Sequence, residues 1–141
     1  MGSYLQQVID FKTLIERIGV NEGFRSKPYQ CSEDVWTIGH GLTWLTEEES
    51  LNILSGRISK LHLKLLDDLD WYEGMPPEVQ GVVIEMCFQM GFSGFCKFKN
   101  AIKNMQDKNW KGAADEMLDS LWAKQTPERA NRLADIVREH G

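Results

Sequence analysis

The stretch from Asn21 to Gly41 holds the residues of this chain best placed to do chemistry. Glu22 stands where a helical pattern gives way to Gly23. The segment after it carries Pro28, Gly39 and Gly41 among the β-favouring Tyr29, Val35, Trp36, Thr37 and Ile38. A carboxyl where a helix meets a glycine-rich strand pair can project over a cleft, the kind of place where extended substrates bind and where a group that gives and takes protons is useful. Taken alone, Glu22 is one of 21 acidic residues, and a solvated helix end is its ordinary reading. Thr37 alone is an ordinary strand threonine. The three cysteines, Cys31, Cys87 and Cys96, match no zinc-ligand spacing, so no metal and no other cofactor is expected. Cys87 and Cys96 lie among apolar neighbours and read as buried, inert thiols. His40, between two glycines, reads as structural; His62 and His140 fall on predicted helix surfaces.

The elements around this stretch are mostly helical. Leu5, Val8, Ile9, Leu14, Ile15 and Ile18 predict a first helix ending at Gly19 or shortly after. Short strands and tight turns then form a small β-rich lobe over about 20–45. Thr46-Glu47-Glu48-Glu49 is a capping box. Leu51, Leu54, Ile58, Leu61 and Leu65 follow at spacings of three and four, predicting a long connecting helix over about 46–69. Pro76-Pro77 opens a helix apolar enough to be buried, with Val79, Val82, Val83, Met86, Cys87 and Met90, and Gly91 and Gly94 break it. Phe98 to Met105 predicts a short helix. Trp110 to Ala123 predicts one more, with Ala113, Met117, Leu118 and Leu121 inward. Thr126-Pro127 opens a last helix to about Glu139. The expected fold class is α+β, mainly α, as a single domain over 1–141 in which the helical lobe of about 76–141 takes in the N-terminal helix.

Composition narrows the function. Apolar residues make up 42% and charged residues 26%, the balance of a globular chain and not of a disordered one. Sixteen basic against twenty-one acidic residues leave a net charge of −5, which argues against a nucleic-acid partner. No apolar run approaches the roughly 18 residues that span a bilayer, and the first ten residues lack a secretory pattern, so no membrane association is expected. The sparse cysteines fit synthesis in a reducing cytosol.

Glu22-Gly23, then Tyr29, then Trp36-Thr37-Ile38-Gly39-His40-Gly41, resembles the active-site region of the T-even-type phage lysozymes (endolysins) of glycoside hydrolase family 24. That family spaces a glutamate, eight residues, an aspartate, five residues and a threonine; the three positions here hold Glu22, Cys31 and Thr37. Phe88-Gln89-Met90-Gly91 resembles the family's cleft-floor helix. The run Trp110–Arg132, with Trp122, Gln125-Thr126-Pro127, Arg129 and Ala130, resembles its C-terminal segment. The resemblance implies a lysozyme-like fold and hydrolysis of the β-1,4 bond between N-acetylmuramic acid and N-acetylglucosamine in peptidoglycan. It makes Glu22 the general acid, Thr37 the holder of the attacking water and Arg129 the residue that orients the glutamate. Leu42, Phe88 and Gln89 would contact substrate. Trp44 is the one tryptophan expected to meet sugar, with Trp110 and Trp122 in the core.

The departure is Cys31, where the family places aspartate. A thiol is a weak acceptor, whereas a thiolate is charged and nucleophilic. Three readings follow: Cys31 acts as base or nucleophile; Glu33 or Asp34 supplies the carboxylate; or Glu22 and Thr37 act without either. The implied biology is a monomeric endolysin that accumulates in the host cytoplasm. It reaches the wall in the periplasm after a separate holin opens the membrane, without touching it. A catalytically silent peptidoglycan- or protein-binding module is the alternative, and a muramidase effector domain is a third reading.

Overall fold

The computed structural model describes residues 10–31 and 33–140, and the chain divides at Leu51/Asn52 into two compact units. The first opens on helix α1 (Phe11–Glu22). Asp10 caps it, accepting from the Thr13 N–H at 3.1 Å and the Thr13 hydroxyl at 2.7 Å, which satisfies one of the helix's orphan donors. Gly23, at φ 69°, ends it with an N–H bond to the Gly19 carbonyl. Leu5, Val8 and Ile9 lie outside the described residues.

Two antiparallel strands follow, β1 (Arg25–Gln30) and β2 (Trp36–Gly39). Tyr29 pairs with Thr37 and Gln30 with Trp36, but the register shifts between Arg25 and Tyr29. Pro28 lies inside that shift; it has no N–H to give a ladder, so an irregularity is where it is tolerated. Beyond β2 the chain turns through Gly39-His40-Gly41, and Ile38 and Leu42 exchange backbone bonds of 2.8 and 2.9 Å.

Helix α2 (Glu47–Asp68) begins just before the division. Its capping box forms as its spacing predicts: Thr46 N–H donates to Glu49 Oε1 at 3.0 Å, and Glu49 N–H to Thr46 Oγ1 at 3.1 Å. Of its apolar stripe only Leu65 is fully buried; Leu54 and Leu61 are half-buried and Leu51 and Ile58 exposed. The second unit continues with α3 (Pro77–Met90), α4 (Phe92–Cys96), α5 (Lys99–Gln106), α6 (Trp110–Leu118), α7 (Leu121–Gln125) and α8 (Pro127–Arg138). Its core gathers Leu65, Tyr72, Val79, Val82, Val83, Met86, Phe95, Met105, Met117 and Val137, all with almost no exposure. Removing each such side chain from water stabilises the fold by about 1.5–3 kcal/mol. Trp110 and Trp122 join this core, as expected.

Several expectations are corrected. The single helix predicted over 110–123 is two, because Ser120 caps α7, accepting from Ala123 N–H at 3.2 Å and donating to the Met117 carbonyl at 2.7 Å. That break turns Leu121 outward, to 68% exposure. Gly91 does end α3, but α4 begins at once and runs through Gly94. Cys96 is half-buried rather than buried. His62 is not a bare surface residue: its Nδ1 lies 2.7 Å from the hydroxyl of the buried Tyr72. The fold is α+β and mainly α, with one two-stranded sheet among the described residues.

Candidate active site

In the first unit, the end of α1 and the Gly39–Gly41 turn are held against each other. Gly41 adopts φ 77°, a conformation that favours glycine. A Cβ placed there would come 2.5 Å from Glu22 Oε2 and 2.8 Å from its carboxyl carbon. Glu22 therefore lies directly on the Gly41 backbone, and the bare glycine makes room for it. His40, between the two glycines, sets its ring 5.3 Å from that of Phe24. The same ring comes within 3.7 Å of where a Cβ at Gly19 would be. The ring thus packs the turn against the last part of α1.

Cys31 and Thr37 share one polar knot. Cys31 N–H donates to the Val35 carbonyl at 2.9 Å, Asp34 N–H to the Cys31 carbonyl at 2.9 Å, and the Thr37 hydroxyl to the Val35 carbonyl at 2.9 Å. Thr37 is the buried polar residue of the described chain. The turn between them needs Asp34 at φ 60°, which aspartate tolerates better than most residues. The backbone N–H of Glu33 and then that of Val35 favour an ionised sulfur. The Thr37 hydroxyl adds to them, and together they hold the Cys31 thiol below the usual range despite some desolvation and the Glu33 charge. Glu33 and Asp34, the alternative carboxylates, are both exposed. Leu42 is half open to solvent, its backbone fixed by the bridge to Ile38. Trp44 is 74% exposed.

In the second unit, Phe88 and Arg129 line a depression of about 450 Å³ with Leu54, Ile58, Gly81, Ile84 and Glu85. Arg129 Nε donates to Glu85 Oε2 at 2.7 Å. Gln89 has most of its amide committed: Oε1 accepts from Trp122 Nε1 at 2.9 Å, and Nε2 reaches Thr126 Oγ1 at 3.5 Å. One amide hydrogen is left for a ligand. The sequence reading did not single out Glu85, although it is the one charged residue in the largely apolar run Val82–Met90. Among the described residues, no group of three or more potential metal ligands comes together.

A family model described as phage lysozyme matches residues 20–138, most of the chain and both clusters of candidate residues. The chain belongs to the phage lysozyme family. Similar proteins include the probable T4-type lysozyme 1 of Dictyostelium discoideum, 42% identical over 55 residues, covering 39% of this chain and 32% of the relative. The probable T4-type lysozyme 2 of the same organism is 37% identical over 65 residues, covering 46% and 38%. The pre-baseplate central spike protein Gp5 of Enterobacteria phage T4 is 40% identical over 52 residues, covering 37% of this chain and 9% of its own. The matched stretch thus spans only about a third of the length of the two Dictyostelium relatives. Within this phage lysozyme family member, the positions that carried the sequence resemblance fall into the two clusters just described.

Proposed function

We propose that this chain is a lysozyme, a glycoside hydrolase that cleaves the β-1,4 bond between N-acetylmuramic acid and N-acetylglucosamine in bacterial peptidoglycan for host cell lysis. The observation that carries the reading is Glu22 seated on the bare backbone of Gly41, in the unit that also holds Cys31 and Thr37. A glycosidic bond breaks when an acid gives its proton to the leaving oxygen while charge develops on the ring. Glu22 is that acid. Cys31, whose thiol the neighbouring N–H groups hold below its usual range, takes the aspartate's part as the anion that activates water or meets the developing charge. Thr37 holds the water. Arg129 orients the acid, and Leu42, Phe88 and Gln89 contact the glycan.

In this reading the enzyme works as a monomer, waits in the host cytoplasm and meets the wall only after a holin has opened the membrane. The test is loss of turbidity of permeabilised Gram-negative cells. Glu22→Gln is expected to lower the rate at least about 100-fold, the scale of a general acid's contribution, with the melting temperature unchanged. Retention of the parental rate in Glu22→Gln overturns the assignment. The thiol in the aspartate position favours one second reading, a silent peptidoglycan-binding module, which would pellet with cell walls yet leave turbidity unchanged in the parent itself.

A further inference from the structure

We propose that His40 is a positioning residue for the acid: its ring locks the Gly39–Gly41 turn against the end of α1, so that Gly41 offers its bare backbone to the Glu22 carboxyl in one place. The inference rests on the lysozyme reading and deepens it by adding a residue to which the family resemblance gives no role. The two backbone bonds between Ile38 and Leu42, of 2.8 and 2.9 Å, close a loop whose inner residues are Gly39, His40 and Gly41. Gly39 at φ 66° and Gly41 at φ 77° set its shape. His40 and Gly41 therefore move together. Of the three, His40 is the one with a side chain, and its ring is what the loop has to grip the helix with.

The contacts of the ring bracket Glu22 along the chain. On one side its Cδ2–Nε2 edge rests on α1 at Gly19, with Cδ2 3.7 Å and Nε2 4.0 Å from where a Cβ would stand. On the other, its centroid is 5.3 Å from that of Phe24, the planes tilted by 44°, just past the Gly23 stop. Gly19 and Glu22 are three residues apart on one helix and so share a face. The turn thus touches that face at two neighbouring points, the imidazole at Gly19 and the Gly41 backbone at Glu22. Without the first contact the loop stays closed but is free to tilt, and the second contact loosens with it. His40 is itself exposed, so removing its ring opens no buried void and costs the fold little. Glu22 is exposed as well, and an exposed glutamate without a seat samples many rotamers. A carboxyl held in one place reacts faster than one that must first be gathered from many.

The experiment compares His40→Ala with His40→Phe. Phenylalanine keeps a flat ring to lay between Gly19 and Phe24, and alanine does not. Initial rates on dye-labelled peptidoglycan at several concentrations separate kcat from KM, with circular dichroism and a melting temperature for each variant. His40→Ala is expected to lose about tenfold in kcat with KM within about twofold, the signature of misplacement and not of lost binding. His40→Phe should stay within about threefold of the parent. Adding His40→Ala to Gly41→Ala should lose nothing beyond Gly41→Ala alone, because the new methyl at Gly41 already unseats the carboxyl. Parental kcat in His40→Ala overturns the proposal, as do equal losses in the two His40 variants or independent, multiplying losses in the double variant. A merely structural role would lower the melting temperature and leave the kcat of the folded enzyme alone, and that pattern overturns it too. If Glu22→Gln is inactive while His40→Ala is unaffected, this inference alone fails; if Glu22→Gln is fully active, the lysozyme reading itself fails.

Discussion

The two units are built on different principles. Among the described residues up to Leu51, Thr37 alone is buried, and Ile15, Val20, Phe24 and Trp36 are largely exposed. What fixes this unit's shape is backbone chemistry: the Asp10 cap, the Gly23 stop, the positive-φ turn through Gly39 and Gly41, and the bonds converging on the Val35 carbonyl. In the second unit the rule reverses. Apolar side chains close a continuous core, and the polar groups within reach of it, such as Gln89 with Trp122 and Tyr72 with His62, are paired. In the proposed reading, acid and thiol stand on this backbone-built unit, where reactive groups stay accessible and local stability is lower, the usual division between functional and scaffold regions.

The contrast predicts that core damage lowers stability and turn damage lowers rate. The largest stability effect is expected from Phe95→Ala. Phe95 is 1% exposed with its ring 6.4 Å from that of Trp71, and emptying such a site costs about 3–5 kcal/mol. Urea unfolding should register that loss, while lysis per folded molecule at low temperature stays within about twofold of the parent. Lysis that falls in proportion to the lost stability, with the protein still folded, would break the contrast.

Gly41→Ala should do the opposite. The new methyl would meet the Glu22 carboxyl at 2.5 Å on a backbone at φ 77°, so the side chain must move. The strain itself costs about 1–2 kcal/mol. Displacing the acid by even an ångström is expected to lower kcat about 100-fold. A thermal melt beside a lysis rate separates the two, and a rate loss no greater than that of Phe95→Ala would show the turn to be an ordinary one.

The parts legible in the sequence are those whose partners lie close along the chain. Thr46 and Glu49 are three residues apart and their capping box forms. Pro77 and Pro127 each open a helix where the fixed φ of proline suits the first turn. The misses have two causes. Ser120 splits a helical pattern through one side chain that competes for backbone bonds, a local choice that apolar periodicity does not register. Glu85–Arg129 and Gln89–Trp122 join residues 44 and 33 positions apart; spacing within a segment carries no trace of such pairs. The candidate acid was found because a motif marked it, but its seat on Gly41 is a contact between the end of a helix and a turn that only the fold brings together.

The smallest effect tests the thiol. Iodoacetamide reacts with thiolate, so the alkylation rate of Cys31 should rise with pH and level off at a lower pH than in the urea-denatured chain, because the folded thiol is held below its usual range by the Glu33 and Val35 N–H groups and the Thr37 hydroxyl. Cys87, buried and pushed up to about 12, is the control and should stay unmodified until the protein unfolds. The same depression links to stability: the folded state favours the ionised sulfur, so its contribution is present in full above the pKa of the unfolded thiol and lost as pH falls through the folded value. Cys31→Ser should therefore be less stable than the parent at alkaline pH by more than it is at acid pH. Thr37→Val sharpens the point. The Thr37 hydroxyl has one hydrogen, which it gives to the Val35 carbonyl or to the sulfur. Val35 keeps its bond from the Cys31 N–H when that hydrogen is removed, so the fold loses little while the alkylation profile moves to higher pH. An alkylation profile of folded Cys31 that coincides with that of the denatured chain would leave the thiol without electrostatic help and return the aspartate position to a bystander.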